Sequence, residues 1–107
     1  MSDTDQYSLL NDESRVVHRF DEKIDITNAD ALTTQCDDYF NDEKIRTIVF
    51  DMRNVRYCDS YGLKFLIYSQ RKATAMQKQL HLYCPDEVLT EIFAATRLLH
   101  FFTIIEK

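Results

Sequence analysis

The sequence predicts a single α/β domain over residues 1–107, with helices packed on a mixed β-sheet in the chain order β-β-α-β-α-β-α-β. Segments with the two-residue period of a strand alternate with segments in which apolar residues recur at helical spacing, and this alternation is typical of a partly parallel sheet with right-handed crossovers. The 107 residues include one glycine and one proline. We therefore expect no flexible linker and no second domain.

The first predicted elements are a β-hairpin and a helix. Residues 7–10 and 15–20 are rich in bulky side chains, and the polar sequence NDES at 11–14 separates them, which indicates two antiparallel strands joined by a turn. A helix is expected next, with Thr27 or Asn28 as its N-cap. Its apolar positions are Ala29, Leu32, Cys36, Tyr39 and Phe40.

A buried strand and a second helix are predicted in the middle of the chain. Residues 47–52, TIVFDM, form a nearly continuous apolar run, as expected for a central strand covered on both faces. The second helix is expected to begin at Asp59 or Ser60 and to end near Gln79, with Gln70 as a polar interruption of its core stripe. That stripe is Leu63, Leu66, Ile67, Gln70, Ala73 and Thr74.

The C-terminal part predicts a strand, a helix and a closing strand. Residues 80–84 alternate like a strand, and Pro85 suits the first position of a helix that has Asp86 and Glu87 in its first turn. Residues 101–105 predict the closing strand. The apolar face of the third helix is expected to be Val88, Leu89, Ile92, Phe93, Thr96 and Leu99.

Composition excludes several classes of function. The chain has 13 Lys and Arg against 18 Asp and Glu, a net charge of −5, which argues against binding to nucleic acid or to anionic lipid. No apolar run approaches the roughly 20 residues needed to span a bilayer. The acidic, polar N-terminal segment is not typical of a secretory signal, so we expect a cytoplasmic protein without direct membrane insertion.

Cysteine and histidine spacing favours neither disulfides nor a metal site. Cys36, Cys58 and Cys84 are odd in number and far apart, so reduced thiols are expected. His81 and Cys84 come nearest to a metal motif, but no second ligand pair has recognisable spacing. The chain also lacks a phosphate-binding loop and any spacing typical of a Ser/His/Asp triad, so we expect neither an enzyme nor a cofactor.

The sequence DSYGL at 59–63, between a buried strand and an amphipathic helix, is the candidate functional segment. Asp59 suits an N-cap, and Ser60 brings a hydroxyl to the first turn. Glycine inside a helix costs about 1 kcal/mol relative to alanine, so Gly62 is expected to serve either the close approach of another backbone or a tight strand–helix junction. A phosphoryl group on Ser60 is physically tolerable at a helix N-terminus and would add about −1.5 to −2 charge beside Asp59.

Three motifs, in order, resemble the STAS domain of bacterial anti-sigma factor antagonists. FDEKIDITNADAL at 20–32 resembles the family's entry to the first helix, IVFDMRNV at 48–55 its strand and turn, and CDSYGL at 58–63 its strand–helix junction. The resemblance implies a STAS-type fold and partner switching. In that family, the unphosphorylated antagonist binds an anti-sigma factor, which is often a serine kinase. Phosphorylation of the antagonist at the junction ends this binding, and a phosphatase restores it.

The junction departs from the family pattern at the usual acceptor. The second hydroxyl of the family's D-S-S-G run is Tyr61 here, and a phenol carries its oxygen much further from the backbone than serine does. Other branches of the family have the acceptor directly after the Asp, so the resemblance implies Ser60 as the phosphoacceptor. Lys64 replaces a second family glycine, and Glu22 stands where the first motif often has glycine.

The second helix also predicts a partner-binding face. Tyr61, Phe65, Tyr68 and Lys72 follow at spacings of four, three and four, a row that is typical either of partial burial in the core or of exposed interface anchors. Lys64 and Arg71 flank the row and suit acidic groups on a partner. The predicted partner-binding residues are Asp59, Ser60, Tyr61, Gly62, Lys64, Phe65 and Tyr68.

Two alternative functions remain compatible with the sequence. One is a STAS subunit that docks on an ABC-type transporter ATPase, which requires no phosphorylation and tolerates Tyr61. The other is an antagonist locked in its binding state because Tyr61 blocks the kinase.

Overall fold

The computed structural model describes residue 11 and residues 13–106, in which six strands and three helices alternate. The strands are β1 (Arg15–Arg19), β2 (Lys23–Ile24), β3 (Thr47–Asp51), β4 (Tyr57–Cys58), β5 (Gln79–Tyr83) and β6 (Thr103–Ile105). The helices are α1 (Ala29–Asn41), α2 (Ser60–Ala75) and α3 (Glu87–Ala95). The predicted α/β fold with three helices is confirmed, but strands β2 and β4 were not among the predicted elements.

The described strands form two parallel sheets. The larger has the order β1-β3-β5-β6, and the smaller pairs β2 with β4. The smaller sheet places Ile24 opposite Cys58, although its two strands are too short to show a period in the sequence. The predicted antiparallel strand at 7–10 lies outside the described residues.

Strand β3 lies at the centre of the core. Ile48, Val49 and Phe50 are fully buried, which confirms the strand predicted from the apolar run. The Phe50 ring stacks on Phe65 of α2 with 5.6 Å between centroids, and Phe20 meets Phe50 edge to face at 5.0 Å. These rings fix α2 against the sheet.

Side chains from outside helix α1 close the turn before it and hold its C-terminal end. Asn28 is the N-cap residue as predicted, but its side chain makes no capping bond; it accepts from the Asp25 amide and donates to the Lys23 carbonyl, which closes the turn after β2. At the other end, Lys78 donates to the carbonyls of Tyr39 and Asp42. A cation at a helix C-terminus is favourable.

Helix α2 ends at Ala75, earlier than the predicted end near Gln79. Gln77 has a φ of 59°, and the amides of Gln77 and Lys78 donate to Thr74 and Ala73. This is a Schellman motif, which stops a helix by turning the chain through a left-handed residue. The prediction failed because glycine usually occupies that position.

Helix α3 begins at Glu87 rather than at Pro85. Asp86 is its N-cap and accepts from the Leu89 amide at 2.9 Å, so Pro85 lies outside the helix. The predicted apolar face is wrong at Val88, which is exposed, whereas Leu89 is buried. Thr96 and Leu99 follow the end of the helix.

Asp51, the last residue of β3, is buried and paired with two arginines. Its carboxylate accepts from Arg53 Nε at 2.9 Å and Arg53 Nη2 at 2.8 Å, and from Arg19 Nε at 3.1 Å. The guanidinium carbon of Arg53 also lies 5.3 Å from the ring centre of buried Tyr83. We refer to Arg19, Asp51 and Arg53 as the arginine pair site.

The charge on Asp51 is expected to make stability depend on acid. Burial raises the pKa of this carboxyl. The hydrogen bonds and charge of Arg53, together with the hydrogen bond from Arg19, have a larger opposite effect, so the pKa is lowered from its usual value. When the pKa of a carboxyl is lower in the folded than in the unfolded state, its ionised form stabilises the folded protein. This contribution is complete at pH values above the unfolded-state pKa, and it is lost as the pH falls below about 4. Asp51→Asn should therefore be less stable at pH 7 and should lose less stability on acidification.

Urea unfolding of both proteins at pH 7, 5, 4 and 3 checks this expectation. Part of the acid dependence should persist in Asp51→Asn, because the hydroxyl of Thr27 helps to lower the pKa of Asp25 as well. An unchanged slope against pH would contradict the assignment to Asp51.

Candidate functional site

Asp59 joins the start of α2 to the turn after β2. Its Oδ1 accepts from the amides of Tyr61 and Gly62, both at 2.9 Å, so it caps the helix as predicted. Its Oδ2 accepts from the amide of Ile26 at 3.1 Å. We call these three hydrogen bonds the Asp59 bridge, since one carboxylate holds two segments that are far apart in sequence.

Gly62 lies where the backbone of β2 passes against α2. A Cβ at this position would overlap the carbonyl oxygen of Ile24 and would lie 2.8 Å from the Ile24 carbonyl carbon and from Cys58 Sγ. Of the two uses expected for this glycine, the close approach of another backbone is the one observed. Ile24 of β2 and Cys58 of β4, which are paired with each other, thus both lie against buried Gly62.

Ser60 is the first residue of α2 and is exposed. Its hydroxyl makes no hydrogen bond to any residue that the structure describes. The amides of Tyr61 and Gly62, which would otherwise be open to an anion at this helix end, are occupied by Asp59. A phosphoryl group on Ser60 would therefore point outward, beside an existing carboxylate.

Exposed apolar side chains from three segments lie near the start of α2. Ile26 is 60% exposed, Tyr57 56% and Tyr61 48%. The Asp59 bridge places Ile26 beside the start of α2, and Lys64 Nζ lies 5.4 Å from the ring centre of Tyr61. We call these residues the junction surface: Ile26, Tyr57, Ser60, Tyr61 and Lys64.

Sequence reasoning missed Ile26 and Tyr57. Tyr57 lies in a two-residue strand and Ile26 lies in the turn after another, and such short strands do not allow burial to be inferred from alternation. The available signal was the resemblance of residues 20–32 and 58–63 to two separate family motifs. It gave no indication that these segments meet.

The aromatic row on α2 divides between core and surface. Phe65 is 3% exposed and stacks on Phe50, so its predicted role in partner binding is corrected: it is a core residue. Tyr68 is partly exposed, and its hydroxyl donates to Asp37 of α1 at 2.9 Å. Lys72 also approaches Asp37, at 3.9 Å. Tyr68 and Lys72 thus join α2 to α1.

The chemistry that the junction offers is that of a hydroxyl. Burial, with the charges of Asp59 and Asp25, raises the pKa of the neighbouring Cys58 thiol to about 11, so it stays protonated near neutral pH. Burial likewise raises the pKa of Cys36 to about 12. No group of three potential metal ligands occurs in the described part of the chain, and none of its helices is both long and apolar enough to cross a bilayer.

Solved structures similar to this chain include two of SpoIIAA. The anti-sigma factor antagonist SpoIIAA in its unphosphorylated form has a TM-score of 0.77 and 15% identity, covering 92% of this chain and 84% of that chain. The Bacillus cell fate determinant SpoIIAA in its phosphorylated form has a TM-score of 0.73 and 15% identity, covering 92% and 86%.

A third similar structure comes from another class of protein. A sulfate transporter family protein from Wolinella succinogenes has a TM-score of 0.74 and 16% identity, covering 85% of this chain and 75% of that chain. Likeness at such low identity shows the fold alone. No curated protein matches the sequence.

The family model of the STAS domain matches residues 7–107, nearly the whole chain. The match includes all three helices and both sheets of the described structure. The chain therefore belongs to the STAS domain family.

Proposed function

We propose that this chain regulates another protein by binding it through the junction surface, and that phosphorylation of Ser60 ends that binding. The observation that carries the proposal is exposed Ser60 at the start of α2, where Tyr57 and Tyr61 are also exposed and where the Asp59 bridge brings exposed Ile26. Exposed aromatic and aliphatic side chains are typical anchors of protein interfaces. A kinase needs the same hydroxyl to be accessible.

Charge explains why a phosphoryl group would oppose binding. It would add about −1.5 to −2 charge at Ser60. The Asp59 carboxylate already occupies the amides of Tyr61 and Gly62, so the new charge cannot bind these two helix amides. A partner that covers Tyr61 would have to remove water from this charge, which opposes binding.

Family membership supports the identity proposed for the partner. Proteins with this fold include the antagonist SpoIIAA, so we propose an anti-sigma factor or related switch kinase as the partner and a phosphatase as the enzyme that restores binding. In this proposal the chain acts in the cytosol, has no catalytic activity and binds no cofactor of its own.

Ser60→Asp and Ser60→Ala test the switch. Ser60→Asp should weaken binding at least tenfold, because a charge enters the centre of the contact, whereas Ser60→Ala should bind at least as tightly as the natural protein. The partner would first be recovered from the protein's own cells and identified, and its affinity for each variant would then be measured by calorimetry. Equal affinities for the two variants would contradict the phosphoswitch.

Two further measurements make this result specific. Thr34→Asp adds the same charge at an exposed hydroxyl residue of α1 and should leave the affinity unchanged. Phosphosite mapping by mass spectrometry should find phosphate on Ser60. Phosphate on Tyr61 instead would assign the switch to the phenol.

The transport function is a second candidate, favoured by the fold shared with a sulfate transporter family protein. In that case the chain would dock on an ABC-type transporter ATPase, and a membrane ATPase would co-purify with it in place of a soluble kinase.

The exposure of Tyr61 keeps the locked antagonist as another candidate. New phosphorylation of Tyr61→Ser by the cognate kinase would favour the locked antagonist.

A further inference from the structure

The arginine pair site has two positively charged guanidinium groups and one negatively charged carboxylate, so its net charge is positive. Arg19 and Arg53 both bond Oδ2 of Asp51, which brings two like charges close together around one carboxylate. Asp51 is the one carboxylate that forms an ion pair with either arginine in the described chain. A second anion would balance the remaining charge.

The arginine side chains are held by buried groups but still have hydrogen-bond donors to offer. The Asp51 side chain is 1% exposed, and those of Arg19 and Arg53 are 63% and 38% exposed. Nη1 and Nη2 of Arg19 and Nη1 of Arg53 make no hydrogen bond to any described residue. Two neighbouring N–H groups of one guanidinium match the two oxygens of a carboxylate.

We propose that the arginine pair site binds an Asp or Glu side chain of a protein partner. This inference rests on the proposed function, because it adds a second contact for the same partner. A monoanion fits the single uncompensated charge, and Asp51 holds the guanidinium groups in place before the partner arrives. The chain as a whole is acidic, at −5, so the site is a local exception that an acidic segment would find by its charge.

The location of the site agrees with one partner contacting both places. Arg19, Asp51 and Tyr83 are opposite one another in register and are the last residues of β1, β3 and β5. Helix α2 lies in the connection from β3 to the parallel strand β5, so it begins near the end of the sheet at which β3 ends. The junction surface and the arginine pair site therefore lie at one end of the domain.

A tetraglutamate peptide with blocked termini is the probe for this site. Arginine side-chain NMR spectra of the natural protein should show saturable shifts of the Nε–H signals of Arg19 and Arg53 as the peptide is added. Arg19→Gln should lower the affinity for the peptide at least fivefold. Because the Arg19 side chain is largely exposed, the variant should keep its fold and its backbone NMR spectrum. Arg71→Gln, an exposed arginine of α2, is the matched control and should bind normally.

Three results would overturn the inference. If the peptide-induced shifts of the arginine signals do not saturate, or if they persist in Arg19→Gln, the arginine pair site does not bind the peptide. The ion pairs of Asp51 would then be purely structural. Inorganic phosphate that saturates the same signals below the peptide concentration would make this a phosphate site. Loss of peptide binding in Lys64→Gln but not in Arg19→Gln would place the peptide on the junction surface. The peptide experiment uses neither phosphorylation nor the natural partner. Its result can therefore contradict the arginine pair site without contradicting the phosphoswitch at Ser60, and the Ser60 variants can contradict the phosphoswitch without contradicting the arginine pair site.

Discussion

Gly62→Ala is expected to destabilise the protein by about 2 kcal/mol or more, although alanine is the better helix former. The new methyl group would overlap the carbonyl oxygen of Ile24. That oxygen belongs to the backbone of β2, so no change of rotamer relieves the contact and the strand must move away from α2. Urea unfolding of the variant and the natural protein measures the difference.

Two companion variants separate the causes of this effect. Arg71→Ala makes an alanine at an exposed position of the same helix and should change stability by less than about 0.5 kcal/mol. Gly62→Ala combined with Cys58→Ala removes the sulfur contact but leaves the Ile24 contact, and it should remain destabilised. Recovery of stability in the double variant would show that Cys58, and not the β2 backbone, excludes the methyl group.

Asp59→Ala is expected to cost about 2 kcal/mol, from the loss of the helix cap and of the bond to the Ile26 amide. Asp59→Asn should cost about half as much, because its amide oxygen can still cap α2 while its NH₂ group cannot accept from Ile26. Both variants should weaken partner binding, since both release Ile26 from the junction surface. Denaturant unfolding and calorimetry measure the two effects separately.

The asparagine variant is the more informative of the pair. A folded Asp59→Asn protein with weakened binding would show that the Asp59 bridge positions Ile26 for the partner. Equal loss of stability in the two variants would contradict the division of the carboxylate into a capping oxygen and a bridging oxygen. Asp30→Asn, an exposed carboxylate in the first turn of α1, controls for the change of charge.

The sequence was sufficient to predict the parts of the fold that depend on periodicity. The apolar run at 47–52 predicted β3, and the helical spacing of buried Cys36 and Phe40 predicted α1. The cost of a glycine inside a helix drew attention to Gly62. In each case the pattern is local and the physical requirement is strong.

Features that depend on distant contacts were not predictable in the same way. Phe65 and Tyr61 belong to one row on α2, yet only Phe65 stacks on Phe50, so spacing alone could not separate core from surface. The early ends of the helices were missed because Gln77 and Arg97 take the left-handed position where glycine is the usual signal. The Asp59 bridge joins residues 33 positions apart.

The Asp59 bridge also connects binding and modification through reciprocity. In the proposed mechanism a partner on Ile26 and Tyr61 favours the bridged arrangement, whereas a phosphoryl group on Ser60 disfavours it by placing a second anion beside Asp59. Two equilibria that share one intermediate contact must influence each other by the same factor. A partner that loses a hundredfold in affinity on phosphorylation would therefore make phosphorylation of the bound chain about a hundredfold less favourable. At equilibrium, an excess of partner would therefore favour the unphosphorylated chain by the same factor by which phosphorylation disfavours the partner.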